Sequence, residues 1–314
     1  MTATAPAPPA RTAAPAPRPA RRLRAPSSLL ALPAWFWLLV FFVAPVGLVL
    51  FYSFGYKPSL FATVATDRLS FDRYVEALSP TFASVFMSTL WVGVVGTVLC
   101  LAIAMPAAYW IATKVPAHRR GLMLGLVLVP FWTNFLVRTI GWRVMLAPEG
   151  FLSEWMVSLG LPPIDLLNTR AAVVIGVVYN YLPLMILPLY VAFDRVEGPL
   201  REASKDLGAD RVRTFLTVTL PLARPGIVAG VLFVYIPLMG DYITATVLGG
   251  AQGTMAGQLV ASQFQTAQNW ALGSAMAVVL ILTTVLSAVV AAGMLWLVTW
   301  PLRLTQRLRI GGAS

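Results

Sequence analysis

Asp241 stands inside one of the long apolar runs of this 314-residue chain, and a carboxylate at membrane depth is a functional-site hypothesis in its own right. Its chemistry would be counter-charge for a cation. It lies 17 residues beyond Arg224, about 26 Å along a helix. Arg138 lies 18 residues beyond Arg120, about 27 Å by the same measure. An Arg138–Asp241 ion pair is therefore the equal alternative, since buried acids are usually paired, and such a pair could also act as a gate opened by a passing cation. Trp132, Tyr179, Tyr181, Tyr235 and Tyr242 supply ring faces that attract ammonium groups, although aromatics in apolar runs mostly pack against neighbours or sit at interfaces. Asn134 and Asn180 suit helix-to-helix hydrogen bonds. The candidate path is Asp241, Tyr242, Trp132, Asn134, Arg138 and Tyr179. Bond-making chemistry is poorly supplied. The one histidine, His118, sits in a basic loop without a second metal ligand, and no Ser–His–Asp set accompanies it. No glycine is followed by lysine, so no phosphate-cradling Walker A loop is present. The chain reads as a non-enzyme with no cofactor and no metal. Cys100 has no partner for a disulfide and reads as a small buried apolar residue.

The elements that must position these residues are membrane helices. The chain is 58% hydrophobic and 11% charged, with a mean hydropathy of +0.78, whereas soluble domains are about 25% charged. A hydrocarbon core about 30 Å thick needs roughly 20 apolar residues, and six stretches qualify, near 32–54, 84–112, 120–146, 171–193, 224–249 and 273–302. Prolines 45, 106, 130, 183, 188 and 237 predict kinks. Residues 1–29, mostly Ala, Pro and Arg, read as a disordered basic tail. The run after Leu32 exceeds the usual 7 to 15 residues of a signal-peptide core and reads as a retained span. Three segments follow: the tail 1–29, a transmembrane domain 30–304, and a C-terminal tail 305–314.

The +11 net charge is distributed by topology. With the tail inside, the inside segments carry seventeen Lys or Arg and the outside segments four, which the positive-inside rule reads as both termini cytoplasmic. Basic residues that flank spans, without one patch of interleaved aromatics, exclude a nucleic-acid partner. Trp35, Trp37, Trp296 and Trp300 read as an interfacial belt.

Between the fourth and fifth spans, a loop at about 195–223 has its own pattern. Leu200, Ala203 and Leu207 recur at helical spacing, with Glu202, Lys205 and Asp206 on other faces. Gly208 is placed to end that helix in a left-handed turn, and Asp210 to cap a second one. The second helix is expected over about 211–219, with Val212, Phe215 and Leu216 on one side and Pro221 limiting it. Two short helices at a corner make either a docking knob or a hairpin that packs on its own spans.

The pattern E-A-S-x-x-x-G-x9-V-x-L-P, carried by Glu202, Ala203, Ser204, Gly208, Val218, Leu220 and Pro221, resembles the E-A-A-x-x-x-G-x9-I-x-L-P cytoplasmic loop of bacterial ABC importer permeases. Ser204 and Val218 are its two conservative departures. The stretches from Pro130 (P-F-W-T-N-F-L-V-R-T-I-G-W), Leu159, Tyr179 and Pro237 are similar to the polyamine, or spermidine/putrescine, branch of that family, and the similarity runs from about Leu32 to the end. The resemblance implies an all-α polytopic fold with six main transmembrane helices of the type I importer kind. It implies a multi-pass protein of the bacterial inner membrane, in contact with lipid, and a pair of cytoplasmic ATPases docked on the loop. A second, homologous permease or a copy of this one and an extracytoplasmic substrate-binding protein complete the implied assembly. Glu202 and Gly208 are the coupling residues it singles out. Relatives that carry iron, sulfate or phosphonate share the plan and are the alternative cargoes. A secondary transporter would want several midplane carboxylates and often an internal repeat; Asp241 is the one acid within a span and no repeat is visible.

Overall fold

The computed structural model describes residues 27–59, 61–163 and 165–299. Residues 1–26 and the C-terminal tail lie outside that range, as do Trp300 and the side chain of Trp296. Five helices are long and apolar enough to cross a membrane, and a bent pair makes a sixth. They are α1 (Ala31–Tyr52), α3 (Pro80–Lys114), α7 (Arg170–Asp194), α9 (Arg211–Met239) and α11 (Trp270–Thr299), with α4 (Ala117–Leu128) and α5 (Phe135–Leu146) forming the bent pair. Short helices α2 (Asp72–Ala77), α6 (Phe151–Ser158), α8 (Gly198–Asp206) and α10 (Ala256–Gln265) lie in the connections. Among the described residues no strand forms, beyond a single antiparallel bridge of Tyr56 with Ala65.

The core is built on α7, the most buried of the spans, packed between α3 and α9. On α3 every fourth residue from 96 is small and buried: Gly96, Cys100, Ala104, Ala108 and Ala112. On α7 every fourth residue from 173 is larger and buried: Val173, Val177, Tyr181, Met185, Leu189 and Phe193. Lipid tails give helices no hydrophobic reason to associate, so close packing across small residues is what holds spans together. Cys100 is explained by this stripe, its Sγ lying 3.7 Å from the Val178 carbonyl oxygen. The two helices run parallel, and at their ends Arg120 at the start of α4 meets Asp194 at the end of α7 at 2.6 Å.

The α7–α9 contact is closer still. A Cβ on Gly226 would come within 2.2 Å of the Ala192 Cβ and 2.7 Å of the Pro188 carbonyl oxygen. Because backbone cannot yield as a flexible side chain does, Gly226→Ala is expected to push the helices apart at an overpacking cost of about 1–3 kcal/mol. A melting temperature in detergent that is lowered by several degrees checks this; Gly125→Ala, where a Cβ meets nothing within 4 Å, is the control.

Two expected spans are different from the straight helices read from the sequence. The stretch 120–146 is broken, α4 and the segment after it meeting at 84°. Pro130 lacks an N–H, Thr133 and Asn134 are extended, and Asn134 Oδ1 accepts the Leu136 N–H at 2.8 Å, starting a new helix where the old one stopped. The stretch 224–249 is also divided. Its helix starts earlier, at Arg211, ends at Met239, and resumes as a short wide turn over Ala245–Gly249. Pro221 does not limit the second loop helix, which runs through it into the span. A π-helical segment, Phe215–Thr219, precedes that proline, and another, Leu39–Val43, precedes Pro45 in α1. The wider turn moves the carbonyl four residues back off the proline ring, so the helix passes through without breaking.

Candidate functional site

The sequence-predicted loop forms as a hydrogen-bonded corner. Helix α8 ends in a paired hydrogen-bond cap: the Gly208 N–H donates to the Lys205 carbonyl at 2.8 Å and the Ala209 N–H to the Ser204 carbonyl at 3.1 Å. Gly208 has φ +85, the left-handed conformation that this cap requires and that glycine adopts without strain. Asp210 then accepts the Arg213 N–H at 2.6 Å and opens α9. The Ser204 and Thr214 hydroxyls meet at 3.2 Å across the corner, which gives the serine in place of alanine a structural use.

The apolar residues of the knob divide between two faces. Phe215 turns inward, its ring centre 5.2 Å from that of Tyr109 on α3, which in turn lies 5.6 Å from that of Phe193 on α7. Leu200, Ala203, Leu207, Val212 and Leu216 turn outward, Leu207 at 90% exposure. They form an exposed apolar edge beside Glu202, which is exposed and makes no ion pair among the described residues. Val218, Leu220 and Pro221 lie half-buried in the shaft that joins knob to span.

The second constellation lies where the two broken helices meet, α5 packing against the Ala245–Gly249 turn. Asp241 is 6% exposed. Thr244 donates its N–H to Oδ1 at 3.0 Å and its hydroxyl to Oδ2 at 2.6 Å, so the carboxylate caps the resumed helix. The Tyr181 hydroxyl lies within interacting range of the same carboxylate. Arg138 does not pair with it. Its guanidinium lies over the rings of Phe131 and Phe135, at 5.5 and 5.6 Å from their centres, with Nε and Nη1 buried and unbonded. The ion pairs among the described residues are Arg73–Glu76 and Arg120–Asp194. Phe135 stacks edge-on with Tyr181, the ring centres 6.1 Å apart, so Arg138, Phe135, Tyr181 and Asp241 form one chain of neighbours.

The other candidates scatter around this centre. Trp132 is 88% exposed at the bend. Asn134 caps its own helix instead of bridging two, whereas Asn180 does bridge, its Nδ2 donating to Thr139 Oγ1 at 3.2 Å. Tyr179 stacks edge-on with Trp142, 5.5 Å between centres. Tyr242 is partly exposed just after Asp241. Tyr235 is buried, donating to Ser287 Oγ at 2.8 Å, and is a packing residue. His118 lies exposed in α4, and no cluster of three or more metal-ligating side chains occurs among the described residues. Sequence reasoning missed Thr244, although a threonine three residues after an aspartate at a helix break is a capping signal. It also missed the Tyr109–Phe193–Phe215 group, whose members are far apart in sequence.

The family described as binding-protein-dependent transport system inner membrane component matches residues 24–300. The spermidine/putrescine transport system permease protein PotB of Haemophilus influenzae is 39% identical over 244 residues, covering 77% of this chain and 84% of that one. The protein of the same name from Escherichia coli is 34% identical over 266 residues, covering 84% and 93%. Among solved structures, a chain of a bacterial ABC transporter that imports the acidic polysaccharide alginate superposes with a TM-score of 0.67 at 15% identity, covering 86% of this chain and 94% of its own. The same transporter in complex with an alginate pentasaccharide-bound periplasmic protein gives 0.68.

Proposed function

Because this chain belongs to the family of binding-protein-dependent transport system inner membrane components, we propose that it is the permease subunit of an ATP-driven importer whose cargo is the polyamines, spermidine and putrescine. It is a multi-pass protein of the inner membrane. The likeness to the two spermidine/putrescine permeases, which spans most of both chains, carries the choice of cargo. Charge chemistry supports it. A polyamine is a flexible chain of ammonium groups, and the centre offers a carboxylate, a phenol and several ring faces at the junction of two broken helices. Broken helices at membrane depth are where transporters place their sites, because irregular backbone is tolerated there only when it lines a cavity.

In this reading both termini and the Glu202 loop face the cytoplasm. Two ATPases dock on the outward apolar edge of the loop and on its counterpart in a second permease, either homologous or a copy of this one. An extracytoplasmic binding protein delivers the cargo. ATP binding closes the ATPases and moves α8, and the Phe215–Tyr109–Phe193 contact passes that motion to α3 and α7. Asp241 is the counter-charge along the path. Its burial means that cargo reaches it only after the α5 and α9 breaks separate. Trp132, Asn134, Tyr179, Tyr242 and Arg138 line the way, with Arg138 repelling the cation until it leaves its two ring contacts.

The experiment is uptake of labelled spermidine and putrescine into cells lacking this gene, and into cells in which it is restored with its ATPase and binding protein. ATP-dependent uptake should return. With the protein present in the membrane, no recovery would move the cargo to another class such as iron, sulfate or phosphonate.

A further inference from the structure

A cleft of about 570 Å³ lies between the last turns of α3 and the corner formed by α8 and α9. Lys114, Arg201, Lys205 and Arg211 line it, with Glu202 as the one acid. Its inner wall is apolar, formed by Met105, Tyr109 and Phe215. Arg201 is half-buried in the cleft wall. Four cations against one acid leave the cleft with an excess of positive charge, which an anion would neutralise. A second cavity of similar size, about 580 Å³, opens at the other end of the same helices around Ser84, Ser88, Thr169, Arg170, Gln252 and Thr254. It carries a single cation. The basic character therefore belongs to the first cleft and not to the second.

Position and shape select the anion. The 35 residues of α3 extend about 52 Å against a hydrocarbon core of about 30 Å, which leaves its Lys114 end at or beyond the headgroup layer. A ligand with a negative head and an apolar body matches four cations above an aromatic wall. The chain's own N-terminal tail is a poor occupant, because it carries five arginines and no acid. We infer that this cleft binds the headgroup of an anionic phospholipid, with an acyl chain laid along Tyr109 and Phe215. A bound lipid ties α8 to the end of α3 through Arg201, so it stiffens the same corner that would carry motion from the ATPases. The inference does not depend on the cargo.

The test uses the complete importer, without cargo, in phosphatidylcholine vesicles carrying a photoactivatable phosphatidylglycerol, and maps the labelled peptides. Label is expected on the peptides around Met105–Lys114 and Arg201–Phe215. In competition with unlabelled phosphatidylglycerol, each cation removed should weaken apparent affinity about fivefold. Arg201→Gln with Arg211→Gln probes the two arginines of the α8–α9 corner. Lys114→Gln with Lys205→Gln, two exposed side chains, keeps the test valid if the first variant fails to assemble. Label indifferent to both double variants, or equal with a phosphatidylcholine probe, overturns the inference. Displacement by inorganic phosphate would make this a site for free phosphate, and displacement by the docked ATPase in every nucleotide state would make it part of the subunit interface; either result overturns it too. None of these outcomes bears on uptake of spermidine, so the transport reading stands or falls separately.

Discussion

Gly208→Val is expected to leave the protein inserted in the membrane and to reduce ATP-dependent uptake by about tenfold or more. A Cβ at this position meets nothing within 4 Å, so the effect cannot come from a clash. It comes from φ +85. An L-residue pays about 1–2 kcal/mol for left-handed backbone, and a β-branched one is less tolerant still. That strain is relieved by opening the corner, which breaks the two capping hydrogen bonds to Lys205 and Ser204 and swings α8 away from α9. In the proposed reading, the outward edge of Leu200, Leu207 and Val212 then no longer stands where an ATPase groove would meet it. Gly208→Asn separates this account from simple misfolding, because asparagine enters the left-handed region more readily and caps helices at this position. It should retain much of the transport. Uptake at the parental rate in Gly208→Val, with equal protein in the membrane, would remove the corner from coupling.

Asp241→Asn is expected to preserve the fold and to cut uptake at limiting spermidine by about tenfold or more. The carboxylate has two roles in this structure, as the cap of the resumed helix and as the one acid at the junction. Asparagine is about as good a helix cap as aspartate and retains an acceptor for Thr244, so the substitution removes charge with little loss of structure. Hydrogen bonds to charged groups contribute about 1.5–3 kcal/mol, hence the size of the expected loss. Asp241→Ala loses both roles and should also lower stability by about 1 kcal/mol. If Asp241→Asn transports normally while Asp241→Ala is thermally weakened, the residue is a cap and not part of the path. Thr244→Val gives the complementary result, since it removes the hydroxyl that occupies Oδ2 while leaving the charge. Uptake that survives Thr244→Val and falls in Asp241→Asn would identify the charge itself as the working feature.

Much of this protein was legible in the sequence because membrane helices and their caps are local. The runs at 84–112 and 171–193 became helices within a few residues of those bounds, since in hydrocarbon a segment must satisfy its own backbone. The loop was legible for the same reason. Gly208 and Asp210 specify a helix end and a helix start from their own backbone preferences, and both did so. The breaks were only half legible. Pro130 and Asn134 were visible, but hydropathy averages over them, and an apolar run reads alike whether it is straight or bent by 84°.

Only the tertiary structure decided which polar groups meet. Equal depths for Arg138 and Asp241 followed from counting residues at 1.5 Å each, and counting assumes straight helices. Both helices break, and the breaks turn Arg138 toward two phenylalanine rings and Asp241 toward Thr244. In the same way Lys114 and Arg201, 87 positions apart in the chain, come to face one cleft because α3 and α7 run parallel on interlocking stripes of small and large residues. Sequence by itself determined the unbroken spans, the corner and the family pattern, since each depends on neighbours within one or two helical turns. The partners of the buried charges depend on how separate helices bend and pack, a property of the whole bundle that no local run of residues contains.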